Sequence, residues 1–148
     1  RSELVSLEYD DIDFVNEGVK IVIKKSKTDQ TGVGMTKAIP YFENNNYCPV
    51  ISLKEWINLS KIEDGKIFNI SDKSVALKIK KYALLAGLEY KKYSGHSLRS
   101  GFATSTAEIG ADERSIMAMT GHKTTQMVRR YIQEANLFKN NALNKIKI

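Results

Sequence analysis

One cysteine, two prolines and two histidines are all that the 148 residues contain of those types. A single cysteine cannot build a disulfide framework, which makes a reducing compartment the expectation. So few prolines exclude collagen-like and low-complexity chains, and a hydrophobic content of 42% excludes a disordered one. No apolar run approaches the roughly 18 residues that span a bilayer. The opening segment carries Glu3, Glu8 and Asp10 in place of a signal peptide. One intracellular domain over residues 1–148 is therefore expected. Metal chemistry finds no support. Cys48, His96 and His122 show no ligand spacing, and the acidic pair Asp10 and Asp11 has nothing beside it to mark a two-metal nuclease. Gly32 and Gly34 stand in a loop without a phosphate-loop lysine. Neither a metal nor a cofactor is expected.

What the chain does have is positive charge, unevenly spread. Lys plus Arg number 23 and Asp plus Glu 17, a net +6. Residues 1–17 hold one base against six acids, whereas residues 18–148 hold 22 bases against 11. A body this basic suits a polyanion, with nucleic acid ahead of an acidic membrane surface. Solubility alone is the competing explanation.

The patterning predicts an α+β fold, predominantly helical. Residues 2–7 read as the last turns of a helix. Residues 9–14 and 19–23 alternate around the turn Asn16-Glu17-Gly18, which predicts a hairpin. A polar loop over 24–36 leads to a third strand around 37–41, confined to a sheet edge by Pro40. A small three-stranded antiparallel sheet results. About six helices follow. Val50, Ile51, Leu53, Trp56, Ile57 and Leu59 supply one apolar stripe. A second, from Val75 to Leu85, is opened by Ser71 or Asp72 and closed by Gly87. Leu98, Phe102 and Ile109 fall at near-helical spacing in the next helix, ended by Gly110, with Leu98 and Phe102 expected to face the core; 111–119 forms a short helix ended by Gly121, and Thr124 or Thr125 caps a segment running to Glu134. Phe138, Ala142, Leu143 and Ile146 mark a final amphipathic piece.

Three clusters can carry chemistry. In Ser94-Gly95-His96-Ser97-Leu98-Arg99, His96 and Arg99 lie three apart at a helix start, so both leave from one face where free backbone N–H groups favour an anion. A half-buried histidine beside a surface arginine is the plainer alternative. In the second cluster, Gly121-His122-Lys123 is followed nine residues after His122 by Tyr131, which Arg129 and Arg130 precede. A phenol near pKa 10 is about one part in a thousand ionised at neutral pH, and dense positive charge both stabilises phenolate and draws in phosphate. Packing of Val128, Tyr131 and Ile132 on one helical face explains the tyrosine equally well. The third cluster, Lys24-Lys25-Ser26-Lys27-Thr28, offers proton donors to a phosphate, or is a solvated charge run.

A loop lysine, then His-x-x-Arg, then Gly-His 26 residues after the first histidine, then Tyr nine residues on resembles the catalytic domain of the tyrosine recombinases, the phage integrase family. The resemblance covers nearly the whole chain, beginning with Arg1-Ser2-Glu3-Leu4 and Leu7. It implies that Tyr131 is the nucleophile forming a 3′-phosphotyrosyl bond with DNA. Arg99 would neutralise non-bridging oxygens, His96 would serve in proton transfer or phosphate contact, and His122 would donate to the same phosphate. Lys27 would protonate the departing 5′ oxygen, with Lys25 as its competitor. Lys25, Lys91, Lys92, Lys123 and Arg130 would contact DNA. Metal and ATP are unnecessary, since the tyrosyl ester retains the energy of the broken phosphodiester.

Further expectations follow from the resemblance. The partner is double-stranded DNA, assembly is tetrameric, and the site of action is the cytoplasmic nucleoid of a prokaryote or phage. Arg1 occupies the x position of the family's Arg-x-Ser-Glu opening, and one residue is about 100° of helix rotation. The first catalytic arginine and the N-terminal clamping domain are thus expected to lie outside this chain, leaving it folded but nearly inactive. Two rival functions keep the fold: a type IB topoisomerase-like strand relaxer and a non-catalytic DNA-binding module.

Overall fold

Alternating side chains over residues 12–23 give two strands that pair through a tight turn. In the computed structural model, which describes residues 1–24, 34–122, 124–139 and 141–146, these are β1 (Ile12–Val15) and β2 (Gly18–Ile23). A third strand, β3 (Met35–Pro40), pairs antiparallel with β2, giving the order β1-β2-β3. Pro40 thus stands on an edge strand, opposite Gly18. Gly18 has φ +156°, and a Cβ there would come within 2.1 Å of the Ile39 carbonyl oxygen. Only glycine lets β3 pass so close to the turn.

The described residues gather into two compact units, Arg1–Val75 and Ala76–Ile148. In the first, a short helix α1 (Ser2–Val5) precedes the sheet and α2 (Pro49–Ser60) follows it. Pro49 sits at the first helical position, where its missing N–H costs nothing. Leu7, Ile57 and Ile67 form one buried cluster with Ile12, Phe14, Ile21 and Leu53 packed on it. Val19, Cys48 and Val50 form another. Trp56 follows the expected stripe only in part: its ring stacks on Phe68, its indole N–H donates to the Ile67 carbonyl at 2.9 Å, and Leu59 is exposed.

Two expectations about this unit need correction. Residues Tyr9–Asp11 form a 3-10 turn rather than the start of a strand. The Asp11 carboxylate accepts the Glu8 N–H at 3.0 Å, and this local bond competes successfully with a sheet ladder. Asp11 is buried. Its burial opposes ionisation, but hydrogen bonds from Lys24 and the Glu8 backbone outweigh that and hold its carboxyl below the usual range. The third strand also lies earlier than expected, at Met35 to Pro40.

Helix α3 (Asp72–Leu85) is opened by Ser71, whose Oγ accepts the Ser74 N–H at 3.1 Å. In the second unit α4 (Gly95–Glu108), α5 (Glu113–Thr120) and α6 (Thr125–Asn136) pack together. Their core is Ala103, Ala107, Ile116 and Val128, with Met117, Tyr131 and Ile132 against it. Leu98 and Phe102 do not face this core; they are 56% and 40% exposed. The packing stripe of α4 is instead Ala103 and Ala107, four apart, whose small side chains admit close helix approach. The final amphipathic piece is a single 3-10 turn, Ala142–Lys145, with Phe138, Leu143 and Ile146 exposed. Among the described residues, no helix is long and apolar enough to cross a membrane.

Candidate active site

Helix α4 begins with a reciprocal cap. The Ser94 N–H donates to Ser97 Oγ at 2.6 Å, and the Ser97 N–H donates back to Ser94 Oγ at 3.3 Å. This fixes the first turn and with it the register of His96, Arg99 and Ser100, which share one face at i, i+3 and i+4. His96 and Arg99 are both exposed. Ser100 Oγ donates to the His96 carbonyl at 3.1 Å.

His122 arrives by a different route. Asp112 caps α5 by accepting the N–H groups of Arg114 and Ser115, and Gly121 ends it in the left-handed conformation, φ 72°. That turn brings His122 back beside Thr120, whose Oγ1 lies 2.6 Å from His122 Nδ1. The Thr120 hydroxyl also donates to the Ile116 carbonyl at 2.7 Å. His122 is half-buried. Its burial first, then the positive charge of Arg99 and of His96, hold its pKa below the ordinary 6.5.

Tyr131 projects from α6. Its ring packs against the buried core of the unit, while its hydroxyl lies 3.1 Å from Ser100 Oγ. The His122 ring centroid is 6.3 Å from that of Tyr131, the planes tilted by 52°. The ring is thus anchored in the packing, while the hydroxyl is directed at Ser100, on the face of α4 that also bears His96 and Arg99. A tyrosine hydroxyl can act as a nucleophile, and cationic side chains on the neighbouring helix attract an anionic ester.

Four of the expected residues, His96, Arg99, His122 and Tyr131, come together in the second unit. Lys25, Lys27 and Lys123 lie outside the described residues. Lys91 and Lys92 are exposed on the 3-10 turn Tyr90–Lys92, where Lys92 pairs with Glu89 at 2.7 Å. Arg130 pairs with Glu134 on its own helix at 3.1 Å, and Arg129 pairs with Glu113 at 3.0 Å. Sequence reasoning missed Ser100 and Thr120. The i+4 spacing of Ser100 from His96 was the available signal for the first, and for the second the two-residue spacing of Thr120 from His122.

Known proteins resemble this chain in sequence and in fold. The profile of the phage integrase family matches residues 1–137. An integrase/recombinase xerD homolog of Selenomonas ruminantium is 46% identical over 99% of this chain and 46% of its own length. The tyrosine recombinase XerD of Haemophilus ducreyi is 29% identical over 85% of the chain and 43% of its own length. The chain thus spans about half the length of these relatives. Among solved structures, the XerA recombinase superposes with a TM-score of 0.72 at 23% identity, covering 99% of this chain and 52% of that one. The XerH site-specific recombinase bound to a palindromic difH substrate, in a post-cleavage complex, gives 0.70 at 19% identity, over 95% of this chain and 42% of that one.

Proposed function

The chain belongs to the phage integrase family, and from that premise we propose that it is the catalytic domain of a site-specific DNA recombinase. The observation that carries this reading is the placement of the Tyr131 hydroxyl 3.1 Å from Ser100, one turn along α4 from His96 and next to Arg99, with the His122 ring 6.3 Å from that of Tyr131. Tyr131 Oη attacks the phosphorus of a DNA phosphodiester and loses its proton. A 3′-phosphotyrosyl bond forms, the bond to the 5′ oxygen breaks, and that oxygen takes up a proton. Arg99 balances charge on the non-bridging oxygens, His96 contacts phosphate or moves a proton, and His122 donates to the same phosphate. A lysine of the 24–28 stretch, Lys27 ahead of Lys25, protonates the leaving oxygen. Positioning and charge do most of the work in such a transfer.

DNA is the partner, held through exposed bases that include Lys91 and Lys92, together with Lys25, Lys123 and Arg130. The reaction proceeds in a tetramer on DNA at the prokaryotic nucleoid. The test, run with a longer form that carries the first arginine and the N-terminal domain expected above, is covalent capture on nicked duplexes of randomised sequence, which trap the tyrosyl ester when the short leaving strand diffuses away. Tyr131→Phe abolishes the adduct and leaves DNA affinity nearly unchanged. An adduct that persists in this variant refutes the assignment. Adduct without strand exchange between two duplexes indicates a strand relaxer, and DNA binding without adduct indicates a binding module.

A further inference from the structure

Thr120 is the last residue of α5 and is 6% exposed. Its hydroxyl has a single proton and two neighbours, the Ile116 carbonyl oxygen at 2.7 Å and His122 Nδ1 at 2.6 Å. A carbonyl has no proton to give. Two oxygens this close with none between them would repel, so the hydroxyl donates to Ile116. Its oxygen then meets Nδ1 only as an acceptor, and Nδ1 must carry a hydrogen. A neutral imidazole has one N–H, so Nε2 is left bare.

We infer that Thr120 is a positioning residue that fixes His122 in its Nδ1–H tautomer, so that Nε2 becomes a donor toward phosphate only by taking up a proton. The second half rests on the phosphate role given to His122 above. In the free protein burial first, and then the positive charge of Arg99 and of His96 on α4, oppose that proton, while Tyr131 approaches from α6. An incoming phosphodiester brings the compensating negative charge. Binding DNA therefore carries one proton onto the ring, and affinity falls by up to about tenfold per unit of rising pH in the window where that proton is gained.

The two histidines of the chain make nitrogen NMR decisive. The 148-residue chain is labelled with ¹⁵N-histidine, long-range ¹H–¹⁵N correlations are recorded at about pH 7.5, and His122→Asn assigns the ring. The wild type shows protonated Nδ1 and bare Nε2. Thr120→Val populates the Nε2–H form, and Thr120→Ser restores the original pattern, an outcome that a merely space-filling threonine would not give. Adding a duplex oligonucleotide protonates Nε2 in the wild type. A wild-type ring carrying its hydrogen on Nε2 overturns the inference without recourse to any variant, as does a tautomer unmoved by Thr120→Val. A ring that keeps Nδ1–H but stays neutral on bound DNA overturns the proton uptake and the phosphate role of His122, and leaves the tautomer assignment standing.

Discussion

His122 is the residue whose surroundings bear most directly on how folding depends on pH. Burial, then Arg99 and His96, hold it below pKa 6.5, so in acid the folded chain binds fewer protons here than the unfolded one. Its contribution to stability is complete above about pH 6.5 and is lost as pH falls through the folded-state value. Urea midpoints measured through this range should decline more for the wild type than for His122→Asn, and parallel curves would contradict the assigned environment. That His96, Arg99, His122 and Tyr131 gather at one place was legible in the sequence because their types and intervals are unusual in combination. Ser100 and Thr120 were not. Hydroxyl residues commonly bond a carbonyl one turn back, and only tertiary placement makes Tyr131 and His122 their second partners.

Elements were legible where local chemistry decides them and obscure where packing does. Ser71, Ser94, Asp112 and Gly121 mark helix ends through their own hydrogen bonds or backbone preference, and those ends came out near their expected positions. The buried face of α4 did not, because large side chains at Leu98 and Phe102 outweigh Ala103 and Ala107 in any hydrophobic count, yet the alanines permit the close contact. The sheet shows the same principle at Gly18. In Gly18→Ala the new Cβ would lie 2.1 Å from the Ile39 carbonyl oxygen and 2.8 Å from Pro40 Cα, both backbone atoms that cannot swing aside. The expected loss is about 1–3 kcal/mol in chemical denaturation. Gly101→Ala, inside α4 with nothing within 4 Å of the added atom, should gain roughly 0.5–1 kcal/mol. Equal effects at the two glycines would contradict the close passage of β3.

For the molecule as a whole, charge distribution bears most on what it binds. Lys73, Lys78, Lys81, Lys91, Lys92 and Arg99 are exposed, and between Lys73 and Arg99 the only acid is Glu89. Binding to duplex DNA should weaken steeply with salt, with a log–log slope of about −0.9 per phosphate contacted; a flat response would return the charge to a matter of solubility. The α+β class was legible because sheet and helix periods segregate along the chain. The third strand's start and the final 3-10 turn were not, since short polar or apolar runs carry too little periodicity to place. The central claim is that Tyr131 makes the bond to DNA, and the most direct measurement is the mass-spectrometric mapping of the captured adduct after proteolysis and nuclease digestion. The expected result is a nucleotide esterified to the peptide containing Tyr131. A nucleotide on any other of the seven tyrosines, or on a serine, would contradict it.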